Sequence, residues 1–198
     1  SLLFTYNGNT IYIDPVSDYA DYSKLPKADV ILITHEHADH LDAKAIADIK
    51  KDNTILVLNP ASQEKLGEGQ IMKNGDAQRL TPYLYAQAVP AYNTTPAHEM
   101  YHPRHRDNGY ILTIDDKRVY VAGDTEDIYE MMDIKDIDIA FLPVNQPYTM
   151  TPKQAANAAL MFNPTILYPY HYGATRIQEL ADLLKYDRNI EVRIRQLQ

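Results

Sequence analysis

Three of the chain's seven histidines fall within six residues, in Thr34-His35-Glu36-His37-Ala38-Asp39-His40-Leu41-Asp42. The run before them, Asp29 to Thr34, is rich in β-branched residues, so the cluster sits just past the end of a buried strand. His35 and His37 are two apart. In extended backbone that spacing puts both imidazoles on one side, able to grip one cation. Asp39 and His40 follow where the chain turns toward a helix, and can face a second cation nearby. Imidazole with carboxylate suits Zn²⁺, Mn²⁺ or Fe²⁺. The chain has no cysteine, so any metal site must be built from nitrogen and oxygen donors.

Three distant segments carry further candidates: Ile13-Asp14-Pro15, Val121-Ala122-Gly123-Asp124-Thr125 and Pro169-Tyr170-His171-Tyr172-Gly173. Alone, each has a bland reading. Asp14 before a proline suits a turn, Gly123-Asp124 a turn or helix cap, and His171 a packed histidine at a strand end. Taken in order with the histidine cluster, they resemble the metallo-β-lactamase superfamily. His35-x-His37-x-Asp39-His40 is similar to its H-x-H-x-D-H signature, and Gly123-Asp124-Thr125 to its G-D-T segment. The resemblance implies metal ligands at His35, His37, Asp39, His40, Asp124 and His171, with Asp124 shared by two ions. Asp14 would support the metal loop from outside, with Thr34 or Asp42 beside it. Asp39 and Asp124 would be the catalytic carboxylates. Ala88 to Asn93 and Leu142-Pro143-Val144 point to the branch of small metal-dependent hydrolases that includes ascorbate-6-phosphate lactonase-like proteins. The implied cofactor is two divalent ions, zinc first, with manganese or iron as alternatives. The implied reaction is attack of a metal-bridging hydroxide on an ester-type bond such as a lactone or phosphodiester. The alternative is a non-catalytic metal- or ligand-binding member of the same fold.

One position departs from the family pattern. Many members carry a third histidine for the first ion after the strand corresponding to Leu84 to Tyr92, and here the chain reads Tyr92-Asn93. His98, His102 and His105 follow, and His102 is the expected replacement. Asn93, Arg104, His105 and Arg106 are expected to contact substrate, and the arginines suggest a small anionic molecule. Tyr92, Gln146, Tyr148 and Tyr172 are further candidates to line the cleft.

The elements must bring these segments together. The 198 residues, 45% of them hydrophobic, suit one globular domain over residues 1 to 198. The 19 basic against 27 acidic residues give a net charge of −8, which disfavours a nucleic-acid partner. No apolar run approaches the roughly 20 residues of a membrane span. The chain opens at Ser1, without Met, directly in a strand-like run. This suggests that some N-terminal residues are missing. Localisation is therefore open, cytoplasmic by default with export not excluded. Strands are expected over Leu2 to Tyr6, Thr10 to Ile13, Asp29 to Thr34, Thr54 to Leu58, within Gln70 to Leu80, and over Leu84 to Tyr92. Others follow at Gly109 to Asp115, Arg118 to Ala122, Asp136 to Leu142, Thr165 to Tyr170 and Glu191 to Leu197. Helices are expected at Asp42 to Lys50, Glu126 to Met132, Thr151 to Phe162 and Thr175 to Tyr186. Thr94 to Asn108, rich in His, Pro and Arg, reads as a functional loop. Strands followed by helices, twice over, suit an α/β (α+β) four-layer αββα sandwich.

Overall fold

In the computed structural model, which describes residues 1–197, Asn7 and Gly8 turn the chain with φ of 47° and 78°. They join β1 (Leu2–Tyr6) to β2 (Asn9–Ile13) in an antiparallel hairpin. β3 (Val30–Ile33), β4 (Ile55–Leu58) and β5 (Gln70–Ile71) then add in parallel, giving a sheet in the order β1-β2-β3-β4-β5. The second sheet starts as an antiparallel meander of β6 (Ala77–Thr81), β7 (Leu84–Ala91), β8 (Asp107–Ile114) and β9 (Lys117–Val121). It continues in parallel from β9 through β10 (Ile139–Pro143) and β11 (Ile166–Tyr170) to β12 (Glu191–Val192).

The two sheets pack face to face. Ile11, Ile13, Val30, Leu32 and Val57 from the first meet Leu84, Tyr110, Leu112, Val121 and Phe141 from the second. Strand alternation sends the other set of side chains outward. Tyr12, Ile31 and Ile33 pack under α1 (Ala43–Ile49), and Ile111, Tyr120 and Leu142 pack under α3 (Pro152–Phe162) and α4 (Gln178–Leu184). The result is the αββα sandwich that the strand and helix rhythm suggested.

Helix starts follow local chemistry. Asp42 caps α1 by accepting from Lys44 N and Ala45 N, and Thr151 forms a capping box with Gln154 at α3. Four boundaries differ from expectation. α2 (Pro60–Leu66) begins where Asn59-Pro60 read only as the end of a strand; Asn59 caps it and Pro60 takes its first position. Glu126 to Met132 does not form an α-helix; the segment is a 3-10 turn over Tyr129–Asp133. The last strand is confined to Glu191–Val192, and β8 starts earlier, at Asp107. Between β7 and β8 lies no helix or strand, as the loop reading required. Among the described residues no helix is long and apolar enough to cross a membrane.

Strand direction decides where the chemistry collects. β2, β3, β9 and β11 end at Ile13, Ile33, Val121 and Tyr170, and the segments with Asp14, His35 to His40, Asp124 and His171 follow at once. β8 runs antiparallel to β9, so its start at Asp107, five residues after His102, lies at the same edge.

Candidate metal centre

Asp14 organises the first part of the site. It follows β2 in a tight bend with φ of 48°, and its N–H donates to Leu32 O at 3.0 Å. Its Oδ1 accepts from Thr34 N at 2.8 Å, and its Oδ2 from the Thr34 hydroxyl at 2.7 Å. The same Oδ2 lies 2.8 Å from His40 Nδ1. An ionised carboxylate can only accept, so a proton is assigned to Nδ1, and Nε2 is the nitrogen of His40 that faces the site. The Thr34 hydroxyl, which gives its proton to Asp14, accepts from His35 Nδ1 at 3.0 Å. His35 therefore also presents Nε2. His102 repeats the arrangement with another partner: its Nδ1 lies 2.9 Å from Oδ2 of buried Asp107, whose Oδ1 accepts from Arg106 Nε at 2.7 Å.

Three groups of donors form side by side, each with ligand atoms within 4.8 Å of one another: His35, His37 and His102; His35, His40 and Asp124; and Asp39, His40 and His171. His35 Nε2 lies 3.1 Å from His37 Nδ1. His171 Nε2 lies 3.2 Å from Asp39 Oδ2, and His40 Nε2 lies 3.7 Å from the same oxygen. Asp124 stands between the outer groups. Its Oδ2 is 3.4 Å from His102 Nε2 and 3.7 Å from His171 Nε2, while its Oδ1 is 3.5 Å from His40 Nε2. Gly123 makes this approach feasible. With φ of 66°, a Cβ there would stand 2.7 Å from Asn108 O and 3.3 Å from Thr34 Cβ.

The donors fit divalent cations. His40 Nε2 and Asp124 Oδ1 are buried, and neither has a hydrogen-bond partner in the structure. Leaving such groups unsatisfied is costly, and a cation between them would satisfy both. Burial pushes the His35 imidazolium well below its usual range, helped by the neighbouring imidazoles of His40 and His102. Burial acts the same way on His40, but Asp124 and Asp14 outweigh it and push it up to about 9. The hydrogen bond from His171 holds the Asp39 carboxyl far below the carboxylate range. Burial opposes ionisation of Asp124, yet His40, His171 and His102 together lower its pKa.

The other sequence candidates are placed differently. Asn93 is buried; its amide donates to Tyr148 O at 2.7 Å and His98 O at 3.2 Å, and its N–H donates to His102 O at 2.9 Å. It braces the loop that carries His102. Arg104 and Arg106, expected to contact substrate, form ion pairs within the protein. Arg104 pairs with Glu130 at 2.6 Å and lies over the Tyr92 ring, while Arg106 engages Asp107 and Glu36. Each guanidinium thus has a protein carboxylate as a partner, and Arg104 keeps more than half of its side chain exposed. His105 is exposed and joins none of the donor groups, and His98 turns to Glu126 at 3.4 Å. Asp107, Asn145, Tyr19 and Tyr170 were not anticipated. Asp107 orients His102, and the other three line a cavity of ≈ 800 Å³ that opens beside Asp39, His40 and His171. No local pattern in the sequence marks them.

Comparison with known proteins places this geometry among relatives. Residues 1–171 match the β-lactamase superfamily domain. A protein of Enterococcus faecalis named UPF0173 metal-dependent hydrolase is 32% identical over 181 residues, covering 84% of this chain and 80% of its own. A protein of Geobacillus with the same family name is 34% identical over 192 residues, covering 84% of this chain and 79% of its own. A crystal structure from Parabacteroides distasonis superposes with a TM-score of 0.97 at 65% identity, over 99% of this chain and 89% of that one. Igni18, a metallo hydrolase from Ignicoccus hospitalis, shares the fold with a TM-score of 0.78 at 23% identity, over 98% of this chain and 91% of that one.

Proposed function

This chain belongs to the β-lactamase superfamily, and on that premise we propose that it is a single-domain metal-dependent hydrolase with a pair of divalent ions, acting on an ester-type bond of a small molecule. One observation carries the reading: His40 Nε2 and Asp124 Oδ1 lie 3.5 Å apart, buried and without a hydrogen-bond partner among the described residues, beside the other donors. In this reading His35 Nε2, His37 Nδ1 and His102 Nε2 hold the first ion. Asp39, His40 Nε2 and His171 Nε2 would hold the second, with Asp124 placed between the two sets. The donor set suits zinc, with manganese or iron as alternatives. When bound, such ions supply Lewis acidity, lowering the pKa of a water toward about 7 and polarising the bond to be cut.

The protein's own groups set the geometry. Asp14 and Asp107 hold Nδ1 of His40 and His102, so Nε2 of each faces inward and would be the nitrogen that meets an ion. Asp39, the more exposed of the two central carboxylates, would hold an ion through Oδ2 and orient the attacking water through its other oxygen, while the proton that the water loses goes to the leaving oxygen. The balance is one water consumed, one bond from the acyl or phosphoryl centre to the leaving oxygen broken, and one to the water oxygen formed. The test is elemental analysis of the purified protein, with assays on a lactone, a thioester and bis-p-nitrophenyl phosphate before and after chelation. The expected result is turnover of at least one substrate, lost with chelator and restored by Zn²⁺ or Mn²⁺. Stoichiometric metal without turnover of any of them would leave a binding protein instead.

A further inference from the structure

Among the described residues, the cavity beside Asp39, His40 and His171 has no lysine or arginine side chain in its lining. Away from the donors it mixes Leu2, Tyr19 and Tyr170 with Ser1, Gln196 and the carboxamide of Asn145. The nearby basic residues that the sequence offered, Arg104 and Arg106, are bound to Glu130 and Asp107. An anionic group seated away from the metal donors would therefore lose water without gaining a counter-charge, and it would lie close to Asp14 and Asp39.

Asn145 is held as a binding group should be. Its N–H donates to the Thr149 hydroxyl at 2.8 Å, and its carbonyl accepts from Thr149 N at 2.8 Å and Tyr148 N at 3.0 Å. Its side chain makes no hydrogen bond among the described residues, although it packs beside Gly173, two residues after His171. A Cβ at Gly173 would come within 3.4 Å of Asn145 Oδ1. A carboxamide fixed at its backbone, partly exposed and without a partner is ready to donate to an oxygen that enters the cavity.

We infer that this cavity takes an uncharged acyl substrate, an ester or lactone without phosphate or carboxylate on its acyl part, and that Asn145 Nδ2 binds an oxygen next to the bond that is cut. The inference rests on the hydrolase reading above and narrows its substrate class.

A matched pair of esters tests it with the metal-loaded protein. p-Nitrophenyl hexanoate and the mono-p-nitrophenyl ester of adipic acid differ only in a terminal methyl against a carboxylate. The hexanoate should show kcat/KM higher by about tenfold or more. Asn145→Ala should lower that value by about tenfold, the loss of one hydrogen bond at the limit of its usual worth. Metal content and Tm should remain those of the wild type. Arg104→Ala should leave kcat/KM for both esters unchanged. Equal or better turnover of the adipate ester, or an unaffected Asn145→Ala enzyme, would overturn the inference. Calorimetric titration with hexanohydroxamate and with the monohydroxamate of adipic acid reads the same preference without turnover, since both share one metal-binding head. If neither ester is cut while the hydroxamates keep the expected order, the hydrolase reading fails and the cavity assignment stands. If the adipic hydroxamate binds as tightly as the other, the cavity assignment fails.

Discussion

At the residue scale, each donor depends on a neighbour that holds it in one orientation. Asp124 stands between the outer donor groups, so Asp124→Ala should remove at least one ion per chain and nearly all hydrolysis, read by elemental analysis and a rate assay. Full metal content in that variant would sink the shared-ligand assignment. Asp14 acts through His40 and Thr34. Asp14→Asn should weaken metal binding about 10–100-fold, with Asp107→Asn weaker by a similar factor through His102. Competition with a chromophoric chelator measures both. An effect on thermal stability without loss of metal affinity would reduce these residues to structural supports. The sequence made much of this centre legible, because His35, His37, Asp39 and His40 are packed into one short stretch. His102 was reachable only through the gap at Asn93, and Asp107 and Asn145 were not reachable. Their positions depend on strand direction and loop path, which no local spacing encodes.

Elements were legible where one face is buried and repeats with a clear period. β3 and β4, all but wholly buried, read directly as apolar runs, and the capping box announced α3. α2 was missed because its seven residues bury only Ser62, so it carries no apolar stripe. Its stability is therefore concentrated at its start. Asn59 accepts from Ser62 N at 2.9 Å and donates to Arg106 O at 2.8 Å, tying α2 to the loop of His102. Asn59→Ala should cost about 1–2 kcal/mol in urea unfolding. A change below about 0.3 kcal/mol would show that the cap is dispensable. Gly123 tests the connection from β9 to Asp124. Gly123→Ala forces a Cβ against Asn108 O in a left-handed backbone. It should destabilise the protein by more than about 1 kcal/mol and lower metal content as well.

Over the whole molecule, the donors come from both halves of the sandwich. His35, His37, Asp39 and His40 follow a strand of the first sheet, while Asp124 and His171 follow strands of the second and His102 enters its β8. Ions that bind only the folded chain stabilise it by mass action, by about 4 kcal/mol at a thousandfold excess over Kd. Chelation should therefore lower Tm on the order of 10 °C in a chain of this length. An unchanged Tm would place metal binding outside the folding equilibrium. Apart from the site, Tyr110 Oη donates to Ile33 O at 2.8 Å and Asn108 N to Thr34 O at 3.0 Å, both at the same edge. The rim is thus joined across the two sheets already, and ions held by donors from both would draw the clasp tighter. Amide hydrogen exchange should slow at Thr34, Asn108 and Gly123 on loading with zinc, while the hairpin turns at Gly8 and Asp116, remote from the clasp, keep their rates.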